Sequence, residues 1–282
     1  MEKRWILHTP DPKAIERLRL DLKLNPVLLQ LLVNRGITDL ETARKFFRPQ
    51  EALLHSPWLM KDMDKAVDRL QQALNQGEKI LIYGDYDVDG TTSVASFYAF
   101  LRKHHSAVDF YIPHRYREGY GLSRAGIDHA IQQGYQLIVT LDCGIKSVEL
   151  IADAKAHGID VIICDHHLPD HILPPAIAIL NAKQSDCPYP FKELCGCGVG
   201  YKLMCALCER MGWPISEADE NIDLLATAIA ADIVSMSGEN RILTYRGLKK
   251  ANEHPNIGIR ALANLSGLKK QLQIQSLRCA IV

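Results

Sequence analysis

Acidic residues and histidines recur in this sequence at spacings that could assemble a metal centre. The string Gly84-Asp85-Tyr86-Asp87-Val88-Asp89-Gly90-Thr91-Thr92-Ser93 carries carboxylates at alternate positions. Leu141-Asp142-Cys143-Gly144 adds one more, and Cys164-Asp165-His166-His167 joins a carboxylate to a pair of imidazoles. Asp232 is a lone acid in the apolar run Leu224 to Val234, read as the inside of a helix, where an unpaired charge is costly. Carboxylate oxygens with one or two imidazoles suit Mn²⁺ or Mg²⁺ better than a thiolate-rich site would. Four such segments meeting at one rim would form a two-metal site with a bridging carboxylate. Ions in such a pair lie roughly 3.5–4 Å apart and generate hydroxide for in-line attack on phosphorus.

Each acidic string follows a short apolar run, and those runs are what must position it. Ile80 to Tyr83, Val108 to Ile112, Leu137 to Leu141, Val161 to Cys164 and Ala176 to Leu180 read as strands. Helix candidates lie between the first four, near 91–103, 123–133 and 146–156. The alternation predicts an α/β fold: an open, mostly parallel five-stranded sheet with helices on both faces. In such sheets ligands bind outside the carboxyl ends of the strands. Further helices are expected near 198–211, 221–236 and 240–252. The first 76 residues read as a small helical N-terminal region, with Asn25-Pro26 opening one helix, Thr38 capping the next, and Met63 to Leu74 at helical spacing. The expected division is therefore 1–76, a catalytic domain at 77–255, and the start of a connector at 256–282.

Composition narrows the function without naming it. The 282 residues carry 33 Lys and Arg against 33 Asp and Glu, so a polyanion must be held by a local basic patch or by metal ions. No run of 18 apolar residues and no signal-peptide core is present, so the expectation is a cytoplasmic protein with no membrane partner. Arg115 and Arg117, with Tyr116 and Tyr120, form a dense basic and aromatic cluster beside a strand end. Arginine there could hold phosphate and tyrosine could stack on a base. Cys195, Cys197, Cys205 and Cys208 could offer thiolates to zinc, but two of them fall inside a helix candidate, which favours buried thiols. Asp85 to Gly90 also matches the opening of an EF-hand loop, yet Ser96 stands where its last ligand should be Glu.

Asp87-Val88-Asp89-Gly90-Thr91 resembles the opening of the haloacid-dehalogenase phosphatases, with Asp87 as nucleophile, but that leaves Asp165-His166-His167 without a role. The full set of strings instead resembles the DHH phosphoesterase superfamily, named for the triplet at Asp165. Within it the likeness is to the RecJ family of single-stranded-DNA-specific exonucleases. It runs through Leu31 to Thr38, Asp62 to Ala66, Pro113 to Leu122, Gly196 to Leu203, Ala231 to Val234 and Glu239 to Leu243. The resemblance implies two Mn²⁺ or Mg²⁺ ions, one held by Asp87 and Asp142, the other by Asp89, Asp142, His166 and Asp232. His167 would contact the scissile phosphate, Asp85 would be an outer ligand or hydrogen-bond partner, and Arg115 would lie on the 5′-phosphate side.

The same resemblance implies removal of nucleotides in the 5′→3′ direction from single-stranded DNA in recombination and repair. Repair-machinery proteins would be engaged through a C-terminal region. Members of that family continue into a second lobe and an OB-fold domain. This chain reads as an amino-terminal half, and its apolar end at Cys279-Ala280-Ile281-Val282 gives the expectation that it is cut short. Two other readings stay open. One is a DHH hydrolase of short oligonucleotides or cyclic dinucleotides, against which the long lead-in before Asp85 speaks. The other is a non-catalytic DHH binding module, against which the filled ligand positions speak.

Overall fold

In a computed structural model, residues 4, 6, 8–267 and 272–275 are described, and the chain divides into the units Met1–Leu53 and Leu54–Val282. Part of the expected connector, residues 268–271 and 276–282 with Cys279, lies outside the described residues.

Side-chain caps set the helix starts of the first unit. Asp11 accepts from Lys13 N at 2.9 Å to open α1 (Pro12–Leu22), and Asn25 accepts from Val27 N at 2.9 Å to open α2 (Pro26–Val33). Both helices place proline in the first turn, where its missing N–H is not needed. The cap of α3 (Leu40–Phe47) is Asp39, which accepts from Thr42 N at 2.8 Å, and not Thr38. Asp39 is the extended residue that precedes the first turn, so Thr38 falls one position too early. Leu18, Leu29, Leu32, Val33 and Ile37 close the small core of this unit.

The second unit is built on a sheet. Helix α4 (Met63–Gln76) buries Met63, Ala66, Val67, Leu70 and Ala73 at helical spacing, and Gly77 closes it in a left-handed turn at φ 68°. That stripe packs against α8 (Gly196–Met211) and β5 (Ala178–Leu180). Then follow β1 (Ile80–Gly84), α5 (Val88–Arg102), β2 (Val108–Tyr111), α6 (Arg124–Gln133), β3 (Leu137–Leu141), α7 (Val148–Ala156), β4 (Asp160–Cys164) and β5 (Ala178–Leu180). The five strands are all parallel in the order β2-β1-β3-β4-β5. Beyond them lie α8 (Gly196–Met211), α9 (Ile222–Ala231), α10 (Gly238–Glu253) and α11 (Ile257–Leu265).

Strand side chains alternate between two cores, as period-two geometry requires. Ile80, Ile82, Val139, Leu141 and Ile162 face a large core shared with α4, α5 and α8. Leu81, Tyr83, Ile138, Val161 and Ile163 face a smaller one closed by Ile127 and Ala130 of α6 and Ile151 and Ala154 of α7. Each fully buried aliphatic side chain contributes about 1.5–3 kcal/mol, so this double-sided burial holds the carboxyl edge in place. The strand order reverses between β1 and β3, which opens a crevice between their carboxyl ends. Among the described residues no helix is long and apolar enough to cross a membrane.

One element ends earlier than its pattern predicts. The apolar run from Leu224 reads as helical to about 236, but α9 stops at Ala231 and Asp232 is its C-cap. Ile233 then turns the chain at φ 60°. Asp232 therefore stands at a helix end facing the strand rim, not inside the helix.

Candidate metal centre

The sheet delivers its acids at the switch point. Asp85 and Asp87 follow β1, Asp142 follows β3, and Asp165, His166 and His167 follow β4. Asp89 lies in the first turn of α5, and Asp232 comes in from the end of α9. His166 Nε2 stands 3.1 Å from Asp142 Oδ1, 3.5 Å from Asp232 Oδ2 and 3.8 Å from Asp89 Oδ2.

Potential ligand atoms fall into two overlapping groups, Asp89–His166–Asp232 and Asp142–His166–His167, each within 4.8 Å. The first agrees in three members with the ligand set implied for one ion. The second includes His167, for which a phosphate contact is expected. Asp87 caps α5, with Oδ1 accepting from Gly90 N at 2.9 Å, and its carboxylate borders the same pocket as Asp89 and Asp232.

Close backbone approach shapes the centre. Asp142 has φ 61°, a left-handed conformation unusual for a residue with a side chain. Gly196, the first residue of α8, approaches it so closely that an added Cβ would lie 2.5 Å from Asp142 Cβ. This approach lets the Gly196 and Cys197 N–H groups donate to Asp89 Oδ2 and Oδ1 at 2.6 and 2.8 Å.

Electrostatics show a cluster short of positive charge. Burial and the neighbouring Asp232 charge push Asp89 up to about 7, outweighing its two backbone donors. Burial and the Asp89 charge raise Asp142 well above the carboxylate range. Asp232 rises to about 6 through burial and the Asp87 charge. His166 is pushed down to about 4, by burial first and then by His167, so its ring is neutral at pH 7 and can offer a lone pair. Asp142 Oδ1, Asp232 Oδ2 and His166 Nδ1 are buried without a hydrogen-bond partner. Buried carboxylate oxygens in that state call for a cation. The donor set of carboxylate oxygens and imidazole fits Mn²⁺ or Mg²⁺.

A second set of residues orients His167. Asp165 is buried, and burial would raise it, but hydrogen bonds hold it below the usual range. Its Oδ1 accepts from His167 Nδ1 at 2.7 Å and from the His166 and His167 N–H groups, and its Oδ2 accepts from Ile145 N at 3.0 Å. The Asp165 bond raises His167 in turn, against the effect of burial. His167 Nε2 meets Tyr120 Oη at 3.0 Å, and Asn181 Nδ2 donates to the His167 carbonyl at 2.8 Å.

Other expected residues take varied places. Asp85 is fully buried, and its Oδ1 accepts from Gly121 N at 3.0 Å. It thereby ties β1 to the loop that carries Tyr120. Arg115 reaches the acidic pocket with its guanidinium 4.9 Å over the Tyr86 ring. Arg117 is exposed in the same loop and is not among the residues bordering that pocket, so the structure does not bring it to the acids. Tyr86, Asn181 and the Gly196-Cys197 N–H pair are site residues that sequence reasoning did not single out. Of these, Gly196 and Cys197 lie in a string that carries the family resemblance. Cys195, Cys197, Cys205 and Cys208 are buried free thiols, and none joins a potential ligand group among the described residues.

Comparison with known proteins agrees with this geometry. The chain is similar to the single-stranded-DNA-specific exonuclease RecJ of Bacillus subtilis (strain 168), 42% identical over 264 residues, covering 94% of this chain and 33% of that protein. It is 38% identical over 266 residues to RecJ of Escherichia coli (strain K12), covering 90% of this chain and 44% of that protein. The chain thus spans about a third to under half of the length of these curated relatives. A solved structure of RecJ in complex with Mn²⁺ from Thermus thermophilus superposes with a TM-score of 0.78 at 28% identity, covering 97% of this chain and 39% of that one. Residues 79–231 match the DHH family, N-terminal domain. With Asp85, Asp87, Asp89, Asp142 and the Asp165-His166-His167 triplet falling inside that match, the chain belongs to the DHH family.

Proposed function

We propose that this chain carries the catalytic centre of a metal-dependent phosphodiesterase of RecJ type, a single-stranded-DNA-specific 5′→3′ exonuclease acting in recombination and repair in the cytoplasm. The observation that carries the reading is the convergence of Asp89, Asp142, Asp232 and His166 at the switch point of the sheet, where Asp142 Oδ1 and Asp232 Oδ2 are buried without a hydrogen-bond partner. Asp87, Asp89, Asp142, His166 and Asp232 would hold two Mn²⁺ or Mg²⁺ ions. When bound, such ions supply Lewis acidity toward the phosphate and lower the pKa of water.

The remaining residues bind and orient. Asp165 holds the His167 ring through Nδ1 and favours its protonated form, so Nε2 can donate to a phosphate oxygen where it now meets Tyr120 Oη. Arg115 supplies a positive charge at the edge of the acidic pocket, on the side assigned to the 5′-phosphate. Asp85 keeps the Tyr120 loop against β1, and the Tyr120 ring offers a stacking face. We assign the catalytic domain to about residues 77–255.

The test uses 5′-labelled single-stranded DNA with Mn²⁺, beside duplex DNA and EDTA controls. Release of labelled mononucleotide from the single strand alone is the expected result. Equal degradation of the duplex, or release that persists in EDTA, would overturn the assignment.

A further inference from the structure

We propose that Tyr86 is a positioning residue that holds Arg115 ready as a phosphate receptor and keeps its charge from collapsing onto the neighbouring acids. The inference rests on the reading of the site as a nuclease centre and assigns a role to a residue that reading leaves unused. Tyr86, Asp87, Asp89, Thr91, Arg115 and Asp232 surround a cavity of about 420 Å³. An arginine bordering three carboxylates has every Coulombic reason to pair with one of them. Yet no ion pair engages Arg115 among the described residues, and its guanidinium lies instead over the face of the Tyr86 ring, 4.9 Å from the centroid.

The loop that carries Arg115 is anchored without it. Glu118 Oε1 accepts from His114 N at 2.8 Å, while Glu118 Oε2 accepts from Tyr111 Oη at 2.8 Å and Ser123 Oγ at 2.6 Å. The backbone is therefore pinned on both sides of an exposed arginine whose side chain has several rotamers open to it. A planar, weakly hydrated guanidinium stacks well on an aromatic face, which a lysine ammonium does not do in the same way. Tyr86 is itself fixed. It follows buried Asp85, precedes the α5 cap Asp87, and meets Tyr120 edge to face at 5.9 Å. The result is a continuous line of contacts, Arg115–Tyr86–Tyr120–His167, along the rim. It leaves a cation stacked, uncommitted and next to the pocket, which is the state a terminal phosphate can claim with little rearrangement.

The experiment measures binding of 5′-phosphorylated and 5′-hydroxyl single-stranded oligonucleotides to the full 282-residue chain by fluorescence anisotropy, with Ca²⁺ in place of Mn²⁺. The quantity read is the ratio of the two affinities. Tyr86→Leu is expected to cut the preference for the 5′-phosphate roughly 3- to 10-fold, and Tyr86→Phe to restore it. Arg115→Lys, an exposed change that keeps the charge and loses the stacking, should lose as much as Tyr86→Leu. Adding Tyr86→Leu to Arg115→Ala should cost nothing more, since the two act as one unit. A preference unchanged in Tyr86→Leu, or losses that add in the double variant, would overturn the proposal. A chain that prefers the 5′-phosphate but releases no nucleotide with Mn²⁺ keeps Tyr86 in this role and sinks the nuclease reading. A chain that releases nucleotide without any 5′-phosphate preference does the reverse.

Discussion

Lowering the pH should remove divalent metal from this centre well above the range in which ordinary carboxylates titrate. Asp89 must be ionised to serve as a ligand, and burial with the Asp232 charge puts its pKa at about 7. At pH 8 it is about nine-tenths ionised and at pH 5.5 only about 3%, so proton competition at this one group weakens Mn²⁺ binding about 30-fold. Asp232, at about 6, titrates in the same interval, and because its charge is part of what raises Asp89 the two protonations are linked and their effects do not simply multiply. His166, pushed down to about 4, is neutral over this interval and adds nothing, whereas the raised Asp142 can only steepen the dependence. Isothermal titration with Mn²⁺ at pH 5.5, 6.5, 7.5 and 8 reads the effect directly, and Asp89→Asn should flatten most of it.

The sign for stability follows from the same shift. Asp89 in the folded, metal-free chain has a pKa above its unfolded value of 3.8, so its contribution is present below that value and lost as pH rises through about 7. Mn²⁺ should accordingly raise the melting temperature more at pH 8 than at pH 5.5. An affinity that stays flat from pH 8 to 5.5, or begins to fall only near pH 4, would show that these carboxylates do not crowd one another and would refute the reasoning.

Other outcomes are equally concrete. Asp89→Ala should abolish metal-dependent cleavage with helical content by circular dichroism unchanged. It also strips the Gly196 and Cys197 N–H groups of their acceptor, at about 1–3 kcal/mol for each buried donor, partly offset by relief of the repulsion from Asp232. Gly196→Ala puts a methyl 2.5 Å from Asp142 Cβ, so the first turn of α8 must shift. Chemical denaturation should show a loss of about 1–3 kcal/mol, together with weaker Mn²⁺ binding. Asp165→Asn should lower the His167 pKa, visible in an NMR titration of its imidazole, because the carboxylate that favours the protonated ring is gone. A His167 titration that does not move would remove Asp165 from that role.

What could be read in the sequence, and what could not, has a physical pattern. Strand-end acids were legible because a parallel sheet buried on both faces gives continuous apolar runs, and ligands gather at their carboxyl ends. Asp87, Asp89, Asp142 and His166 are marked as candidates that way and Asp232 as a costly lone acid in an apolar run, with the family resemblance adding their assignment to ions. The position of Asp232 was misread, because Ile233 and Val234 continue the apolar run past the real helix end. A β-branched residue is the last type expected to turn a chain at positive φ, so no stop signal was visible. Tyr86 carries no signal of its own in the sequence, since its stacking partner Arg115 stands 29 positions away. Arg117 shares the local composition of Arg115 but not its reach, and which of two near neighbours faces the pocket is a matter of loop conformation.

The left-handed backbones of Asp142 and Ile233 carry a consequence for how this protein can change. Each such conformation costs on the order of 1–3 kcal/mol, and both fall on or beside residues assigned to the metal centre. A laboratory selection for heat resistance, run in a chelator, would find its easiest gains there, by placing glycine or asparagine at 142 and glycine at 233. A change at 142 would make the chain sturdier and remove an assigned ligand in the same step, whereas glycine at 233 leaves Asp232 in place. Robustness and chemistry are thus set against each other at residue 142, and a survey of heat-selected variants would mark that turn without any assay of activity.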